Sequence, residues 1–178
     1  MTRPSSFPRR LLAAAAFAAA LGAAALSAAP PAAAQQTTGL PLPRFVSLKA
    51  SRVNVRIGPS NGHAVKWIFV RAGLPVEIVQ EFENWRRIRD SAGAEGWVYG
   101  SLLSGRRTAL VAPWEGATPV ELHATASNEA AVVAVLAPNV VTGVRACDGT
   151  WCRVEGKGFD GYAPQEKLWG VYPGEVFD

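Results

Sequence analysis

The chain has 178 residues, of which 49% are hydrophobic and 18% are charged. This composition is typical of a folded protein with a packed core, and it excludes a disordered, collagen-like or coiled-coil chain. Of the 18 basic residues, three lie within residues 1–34, which contain no Asp or Glu, so 15 basic residues stand against 14 acidic ones in the remainder. That near balance gives no general basic surface, and the sequence therefore predicts no nucleic-acid partner.

Residues 1–34 have the pattern of a secretory signal peptide. Three Arg residues precede an almost unbroken apolar run from Leu11 to Ala29. The small residues 32–34 predict cleavage after Ala34, and therefore a periplasmic or secreted protein. The run is long enough for an uncleaved membrane anchor to be the alternative, although Ala inserts weakly into a bilayer. A membrane contact is expected only if this segment stays uncleaved.

Export changes how the two cysteines are interpreted, since an oxidising compartment favours disulfides. Cys147 and Cys152 flank the segment 148–151, which begins with Asp-Gly, a strong turn signal. A hairpin that brings the two Cα atoms within about 7 Å would allow a structural disulfide, which we expect. Four intervening residues argue against a redox dithiol. His63 and His123 lack paired zinc-ligand spacing, so no metal site and no cofactor are predicted.

Short strands separated by turns are predicted along the remaining chain, after a lead that contains Pro41 and Pro43. Residues 52–57 alternate with period two, which places Val53, Val55 and Ile57 on one face. Because no capped amphipathic segment of helical length follows residue 34, the predicted fold class is all-β. Further strands are predicted at 65–70, 75–82, 85–89, 96–99 and 108–111.

Two side-chain placements follow from these predicted strands. Within 75–82 the alternation places Glu77 and Glu81 on a solvated face. Trp97 follows Gly96 inside a strand and is expected in the core, with Tyr99 on the same face of that strand.

The second half of the chain repeats the first with drift. Three blocks recur in the same order, which indicates two tandem copies of one small β unit. The chain is accordingly divided into a signal peptide (1–34), a linker (35–43), a first domain (44–107) and a second domain (108–178). The matching positions are Val53, Val55, Ser60 and Asn61 with Val120, Leu122, Ser127 and Asn128, then Trp85 with Trp151, and Gly96-Trp97 with Gly161-Tyr162.

These blocks resemble bacterial SH3-like (SH3b) domains, and the pair resembles an exported two-copy subfamily. The resemblance is specific over residues 45–105 and degenerate over 110–170, where Glu121–Ala126 replaces the first motif. It implies two small, strongly curved barrels that attach to cell-wall peptidoglycan or its peptide stems. The residues that carry it are Val53-Asn54-Val55-Arg56, Gly58-Pro59-Ser60, Gly73-x-Pro75, Trp85-x-x-Ile88 and Gly96-Trp97-Val98.

The two copies differ in charge. Residues 35–107 carry 11 basic and 5 acidic residues, whereas residues 108–178 carry 4 and 9. Opposite net charges favour face-to-face packing of the barrels, and the alternative is that each set of charges only solvates its own surface. The joining segment from Leu102 to Val111 contains one Gly and no Pro, which favours a rigid pair.

A candidate ligand site lies in the first copy. Trp85 follows a turn and precedes three arginines, so it is either a rim aromatic beside positive charge or a residue that packs over the barrel end. Asn54 and Arg56 lie on the outward phase of the first strand, either as ligand contacts or as its ordinary polar face. The resemblance implies that this strand and the following loop border a wall-peptide groove. The candidate residues are Asn54, Arg56, Ser60, Asn61, Trp85 and Arg87.

The sequence contains no recognisable constellation of a nucleophile beside a base or of paired carboxylates, so we expect neither an enzyme nor catalytic residues. The predicted function is that of an exported binding protein that contacts peptidoglycan or cell-wall peptides through its SH3-like domains. The alternative is a periplasmic adaptor that binds an envelope protein or complex.

Overall fold

The computed structural model describes residues 38–178. The predicted signal peptide and its cleavage site lie outside the described residues. In this part of the chain the regular structure is β-strand, apart from 3₁₀ turns at Gly100–Leu102 and Gln165–Lys167. The part of the chain that the structure describes includes no helix long and apolar enough to cross a bilayer.

The first copy forms a seven-stranded, strongly curved sheet in the order β3-β2-β6-β5-β4-β1-β7. Its core contains Val53, Val55, Val76, Ile88 and Val98, none of which is exposed to solvent. These residues project inward because each strand alternates inward and outward side chains. The strands are β1 (Arg44–Leu48), β2 (Val53–Arg56), β3 (Val65–Phe69), β4 (Pro75–Phe82), β5 (Trp85–Arg89), β6 (Glu95–Tyr99) and β7 (Leu103–Ser104).

The second copy repeats this arrangement in the order β10-β9-β13-β12-β11-β8-β14, with β15 added beside β11. In the second sheet Tyr162 is paired with His123, and in the first sheet the equivalent residues, Trp97 and Arg56, are paired in the same way. The predicted all-β fold of two tandem SH3-like barrels is therefore confirmed. The strands are β8 (Thr108–Val111), β9 (Val120–His123), β10 (Val132–Leu136), β11 (Val141–Asp148), β12 (Trp151–Gly156), β13 (Phe159–Pro164), β14 (Leu168–Trp169) and β15 (Val176–Phe177).

A glycine at the same position of each copy lets β6 approach β2 closely, and β13 approach β9. A Cβ atom on Gly96 would lie 2.5 Å from Val55 Cγ1 and 3.0 Å from the Arg56 carbonyl oxygen. A Cβ atom on Gly161 would likewise lie 3.0 Å from the His123 carbonyl oxygen. Both glycines are needed because the backbones approach too closely for a side chain.

The predicted disulfide is confirmed. Cys147 and Cys152 are directly opposite each other in β11 and β12, and their Cα atoms are 4.1 Å apart. The Asp148 carboxylate accepts hydrogen bonds from the backbone N–H groups of Thr150 and Trp151, at 2.8 and 2.7 Å. These hydrogen bonds hold the pKa of Asp148 below its ordinary value. The turn is thus ordered by its own Asp, as the Asp-Gly signal predicts.

Three predicted side-chain placements are wrong. Glu77 and Glu81 are 8% and 2% exposed. Tyr172 covers Glu77 on the outer face of β4, whereas the register shift between Ile78 and Gln80 places Glu81 opposite Arg86, on the face that carries Ile78. Trp97 is half-buried on the outer face of β6, while Val98 faces the core. Ile57 lies beyond the end of β2 and is 61% exposed, since the register shifts between Val55 and Arg56.

Glu81 fixes the lead to the first barrel. Its carboxylate accepts hydrogen bonds from the backbone N–H and hydroxyl of Thr38 and from Arg44, and it forms an ion pair with Arg86 at 3.2 Å. Burial raises the pKa of Glu81, but the hydrogen bonds from Arg44 and Thr38 and the charge of Arg86 outweigh it and lower the pKa to about 2. A buried carboxylate is stable here because each partner satisfies part of it.

The C-terminal residues 169–177, which we call the clasp, contact the first barrel through Trp169, Gly170 and Tyr172. The Phe45 ring lies 5.1 Å from the Trp169 ring and 4.7 Å from the Tyr172 ring, measured between centroids. The Tyr172 hydroxyl donates a 3.0 Å hydrogen bond to Glu77 Oε1. Burial and this hydrogen bond both raise the pKa of Tyr172 above its ordinary value. Aromatic packing therefore joins the two copies.

Arg107, in the segment between the copies, holds the clasp in place. Its guanidinium donates to both carboxylate oxygens of Glu175, at 2.8 and 2.9 Å, and to the Gly170 carbonyl oxygen at 3.0 Å. Burial raises the pKa of Glu175, but the hydrogen bonds from Arg107 and the Tyr172 N–H lower it below its ordinary value. Within residues 38–178 no ion pair joins a strand of one sheet to a strand of the other. Among the described residues, Arg107–Glu175 is the one ion pair that joins a charge of residues 35–107 to a charge of residues 108–178.

Replacement of Glu81 by Gln is expected to remove an acid-sensitive contribution to stability. Because the folded-state pKa lies below the ordinary value of 4.5, the contribution is complete above about pH 4.5 and is lost as the pH falls towards 2. A shift of this size corresponds to about 3 kcal/mol. In chemical denaturation, wild type should exceed Glu81→Gln in the free energy of unfolding at pH 7, and the difference should shrink by pH 2. Glu83→Gln, an exposed neighbour, is the control, and an unchanging difference would contradict the assignment.

Replacement of Gly170 by Ala is expected to dislodge the clasp. Gly170 has a φ of +129°, and a Cβ atom there would collide with the Thr108 carbonyl oxygen and lie 3.2 Å from Pro75 Cβ. Backbone strain and overpacking together predict a loss of about 2 kcal/mol or more in thermal unfolding. Gly105→Ala is the matched control, because nothing lies within 4 Å of its Cβ position. Equal melting temperatures for the two variants would argue against a packed clasp.

Candidate functional site

A groove of about 270 Å³ lies on the first copy. Four of the six predicted ligand residues line it, namely Asn54, Arg56, Asn61 and Trp85. We call this surface the copy-one groove. Its complete lining is Arg52, Asn54, Arg56, Asn61, Trp85, Tyr99 and Leu102.

Asn54 and Arg56 reach the groove because they lie on one face of β2, and Arg52, directly before the strand, continues the same alternation. Asn54 and Arg52 are exposed, whereas Arg56 is half-buried. Arg56 Nη1 donates a 2.6 Å hydrogen bond to the His63 carbonyl oxygen. Arg56 therefore ties the 57–64 loop to the strand. It makes this contact with a turn carbonyl and also lines the groove.

The aromatic wall of the groove is a pair of neighbours on β5 and β6. Trp85 and Tyr99 are directly opposite in the register, and their rings meet edge to face with centroids 5.4 Å apart. Trp85 is only 7% exposed, whereas Tyr99 is 39% exposed. Trp85 therefore packs mainly as a buried support, and Tyr99 is the ring that the groove exposes.

Two predicted residues, Ser60 and Arg87, do not line the groove. Ser60 lies in the loop turn, where its backbone N–H donates to the Gly58 carbonyl oxygen at 3.0 Å. Arg87 forms an ion pair with Glu95 at 2.8 Å and borders a neighbouring depression with Trp97. Hydrogen bonds from Arg89, together with the charge of Arg87, hold the pKa of Glu95 below its ordinary value.

Unpaired positive charge distinguishes the groove from the rest of the arginine-rich face. Among the described residues, neither Arg52 nor Arg56 forms an ion pair. Arg86, Arg87 and Arg89 do, with Glu81, Glu95 and Glu77 among their partners. The groove therefore presents guanidinium donors without a bound carboxylate, beside an exposed aromatic ring. This arrangement suits an anionic, partly apolar ligand.

Sequence reasoning missed Arg52, Tyr99 and Leu102 as groove residues. The period of two that selected Asn54 and Arg56 also reaches back to Arg52, one position before the strand begins. Tyr99 could have been found in the same way, two positions after Trp97. Leu102 lies in a 3₁₀ turn and carries no such signal. Within residues 38–178 no group of three or more His, Cys, Asp or Glu side chains could hold a metal ion.

Comparisons with known proteins identify the repeated unit. A family model described as "Bacterial SH3 domain" matches the chain twice, at residues 49–105 and 116–170, which together exceed half of its length. No match to this chain was found among the curated proteins.

Solved structures similar to this chain include NlpC2 and NlpC1 from Trichomonas vaginalis. NlpC2 shares 14% sequence identity at a TM-score of 0.32, over 71% of this chain and 48% of NlpC2. NlpC1 shares 14% identity at a TM-score of 0.31, over 74% of this chain and 47% of NlpC1. The chain thus spans about half the length of these two proteins.

Proposed function

This chain belongs to the bacterial SH3 domain family, and from that premise we propose that it is an exported, non-catalytic protein that binds peptidoglycan stem peptides. Domains of this family commonly attach to cell-wall material. The observation that carries the proposal is the copy-one groove, where Arg52 and Arg56 have no ion-pair partner among the described residues and lie beside the exposed Tyr99.

The chemistry of the groove fits the carboxylates of acidic stem peptides. A guanidinium donates two parallel hydrogen bonds to a carboxylate, and this geometry gives orientation as well as affinity. Asn54 and Asn61 add amide groups that recognise a peptide backbone. The face of Tyr99 supplies apolar contact at low entropic cost.

The size of the groove predicts a weak interaction with a short fragment. At about 270 Å³, it lies just below the usual range for ligand pockets, so it holds a few residues rather than a whole muropeptide. A polymeric wall presents many copies of the same stem, and rebinding then raises the retention above the affinity of one site.

Export is part of the proposal. The predicted signal peptide directs the chain out of the cytoplasm. The Cys147–Cys152 disulfide supports an oxidising compartment. The periplasm or the cell surface is where a wall-binding protein would meet its ligand.

A second candidate function is an adaptor that binds an envelope protein. The edge strands β3 and β10 favour it, since each lies at the end of its sheet and carries exposed apolar side chains. Such an edge accepts an added strand from a partner. The exposed residues are Val65, Ile68, Val70, Val132, Val133 and Val135.

Sedimentation of residues 35–178 with isolated sacculi tests the proposal. Arg52→Glu should reduce the retained fraction, because it replaces a donor with a repelling carboxylate, and the apparent affinity should fall about tenfold or more. Retention of wild type should also weaken as salt is raised. Arg71→Glu, an exposed residue outside the groove, makes the same charge change and is the control.

The two candidate functions predict different results. Wall binding predicts retention that Arg52→Glu removes and Arg71→Glu preserves. Equal loss in both variants would indicate only general charge attraction and would contradict the groove. Absence of retention at every salt concentration would contradict wall binding and favour the adaptor.

A further inference from the structure

The second copy has a cleft at the position of the copy-one groove, with different chemistry. A cavity of about 340 Å³ adjoins one of about 550 Å³, and the two share Asn128 and Pro164. We call the two together the copy-two cleft. The repeat aligns six residues of the cleft with six residues of the copy-one groove. The aligned pairs are Pro119 with Arg52, Glu121 with Asn54, His123 with Arg56, Asn128 with Asn61, Pro164 with Tyr99 and Lys167 with Leu102.

His123 keeps the structural contact of Arg56 but not its charge pattern. His123 Nδ1 donates a 3.0 Å hydrogen bond to the Ala130 carbonyl oxygen, just as Arg56 donates to that of His63. Because a carbonyl oxygen only accepts, Nδ1 carries the hydrogen of this bond. The second copy therefore has an imidazole at the place where the first copy has a guanidinium.

Gln165 adds a buried acceptor to the cleft. Its side chain is 4% exposed, and Nε2 donates to the carbonyl oxygens of Tyr172 and Glu175 at 2.6 and 3.1 Å. These two bonds use both amide hydrogens, and Oε1 has no partner among the described residues. A buried acceptor without a donor is costly, and because Oε1 is itself screened from solvent, a ligand N–H group would reach it only if the lining moved.

Negative charge and an exposed aromatic ring complete the cleft. Glu121 is exposed and forms no ion pair within residues 38–178, whereas Glu166 pairs with Lys167 at 3.2 Å. Trp114 is 46% exposed and lines the same cavity. A carboxylate beside an indole face attracts a cation.

We propose that the copy-two cleft binds the free primary ammonium group of a peptide, with Glu121 as its counter-charge and Trp114 as its apolar wall. The inference rests on the proposed function in so far as the natural ligand is the same stem peptide, whose diamino-acid side chain carries such a group. The copy-one groove then takes the carboxylates of that ligand class and the copy-two cleft takes its amines.

Nitrogen-15 NMR titration of residues 35–178 tests this inference with two small probes. The first probe is acetyl-Ala-Lys-Ala-amide, which has an ammonium group and no carboxylate. It should shift the Trp114 indole and Gln165 side-chain amide signals, and Nε-acetylation of the probe should abolish the shifts. Glu121→Gln should raise the dissociation constant about threefold or more at low salt, because it removes one charge. Asp178→Asn, an exposed residue outside the cleft, should leave it unchanged.

The second probe separates this inference from the proposed function. Acetyl-Ala-Glu, with free carboxylates, should shift Tyr99 and Asn54 instead, and Arg52→Glu should abolish that effect alone. If only the carboxylate probe binds, the copy-two inference is wrong and the proposed function stands. If only the lysine probe binds, at the cleft, the copy-two inference stands and the proposed function of the copy-one groove is wrong. Equal shifts from the lysine probe and its acetylated form would overturn the inference.

Discussion

The contact between the Phe45 ring and the clasp rings of Trp169 and Tyr172 is the constraint on which the two-barrel arrangement depends. Aromatic pairs contribute about 0.5–1.5 kcal/mol each beyond the area that they bury. The hydrogen bond from Tyr172 to the Glu77 carboxylate adds about 1.5–3 kcal/mol, since its acceptor is charged. These contributions exceed those of exposed ion pairs, which are typically below about 1 kcal/mol.

This interface leaves the charges of the two copies available for ligands. The basic first copy and the acidic second copy do not neutralise each other through ion pairs between their sheets. Within residues 38–178, Arg52 and Arg56 have no carboxylate partner, and Glu121 has no cationic partner. A clasp that holds both copies in one body keeps the two ligand surfaces at a fixed separation. Fixed separation lowers the entropic cost of engaging a wall at two points.

Local sequence signals predicted the elements that depend on neighbours in the chain. Period-two alternation located the strands, the repeated blocks indicated two copies, and Asp148-Gly149 located the disulfide hairpin. The errors arose where distant segments cover a strand. Glu81 is buried because the register shift in β4 turns it inward and Thr38 and Arg44 cover it, and Glu77 is buried because Tyr172 reaches it from the other end of the chain. Neither contact leaves a periodic trace, since the partners are separated from these glutamates by 37 to 95 positions.

For the candidate site too, local signals predicted the residues that one strand and its loop carry, but not the pairing of charges. Asn54, Arg56 and Asn61 were found because one strand and its loop carry them, and the resemblance to SH3-like domains selected that loop. Arg87 was grouped with Trp85 because they are close in sequence, but its ion pair with Glu95 turns it towards another surface. Assignment of a ligand contact therefore requires knowing which charges are already paired, and that information is three-dimensional.

Backbone nitrogen-15 relaxation of residues 35–178 tests most directly whether the clasp makes one body of the two barrels. If the clasp holds the barrels together, a single rotational correlation time will fit the amides of both sheets, with fast motion confined to exposed loops. Two shorter and separate correlation times, one for each sheet, would contradict it, because they would mean that the barrels tumble independently.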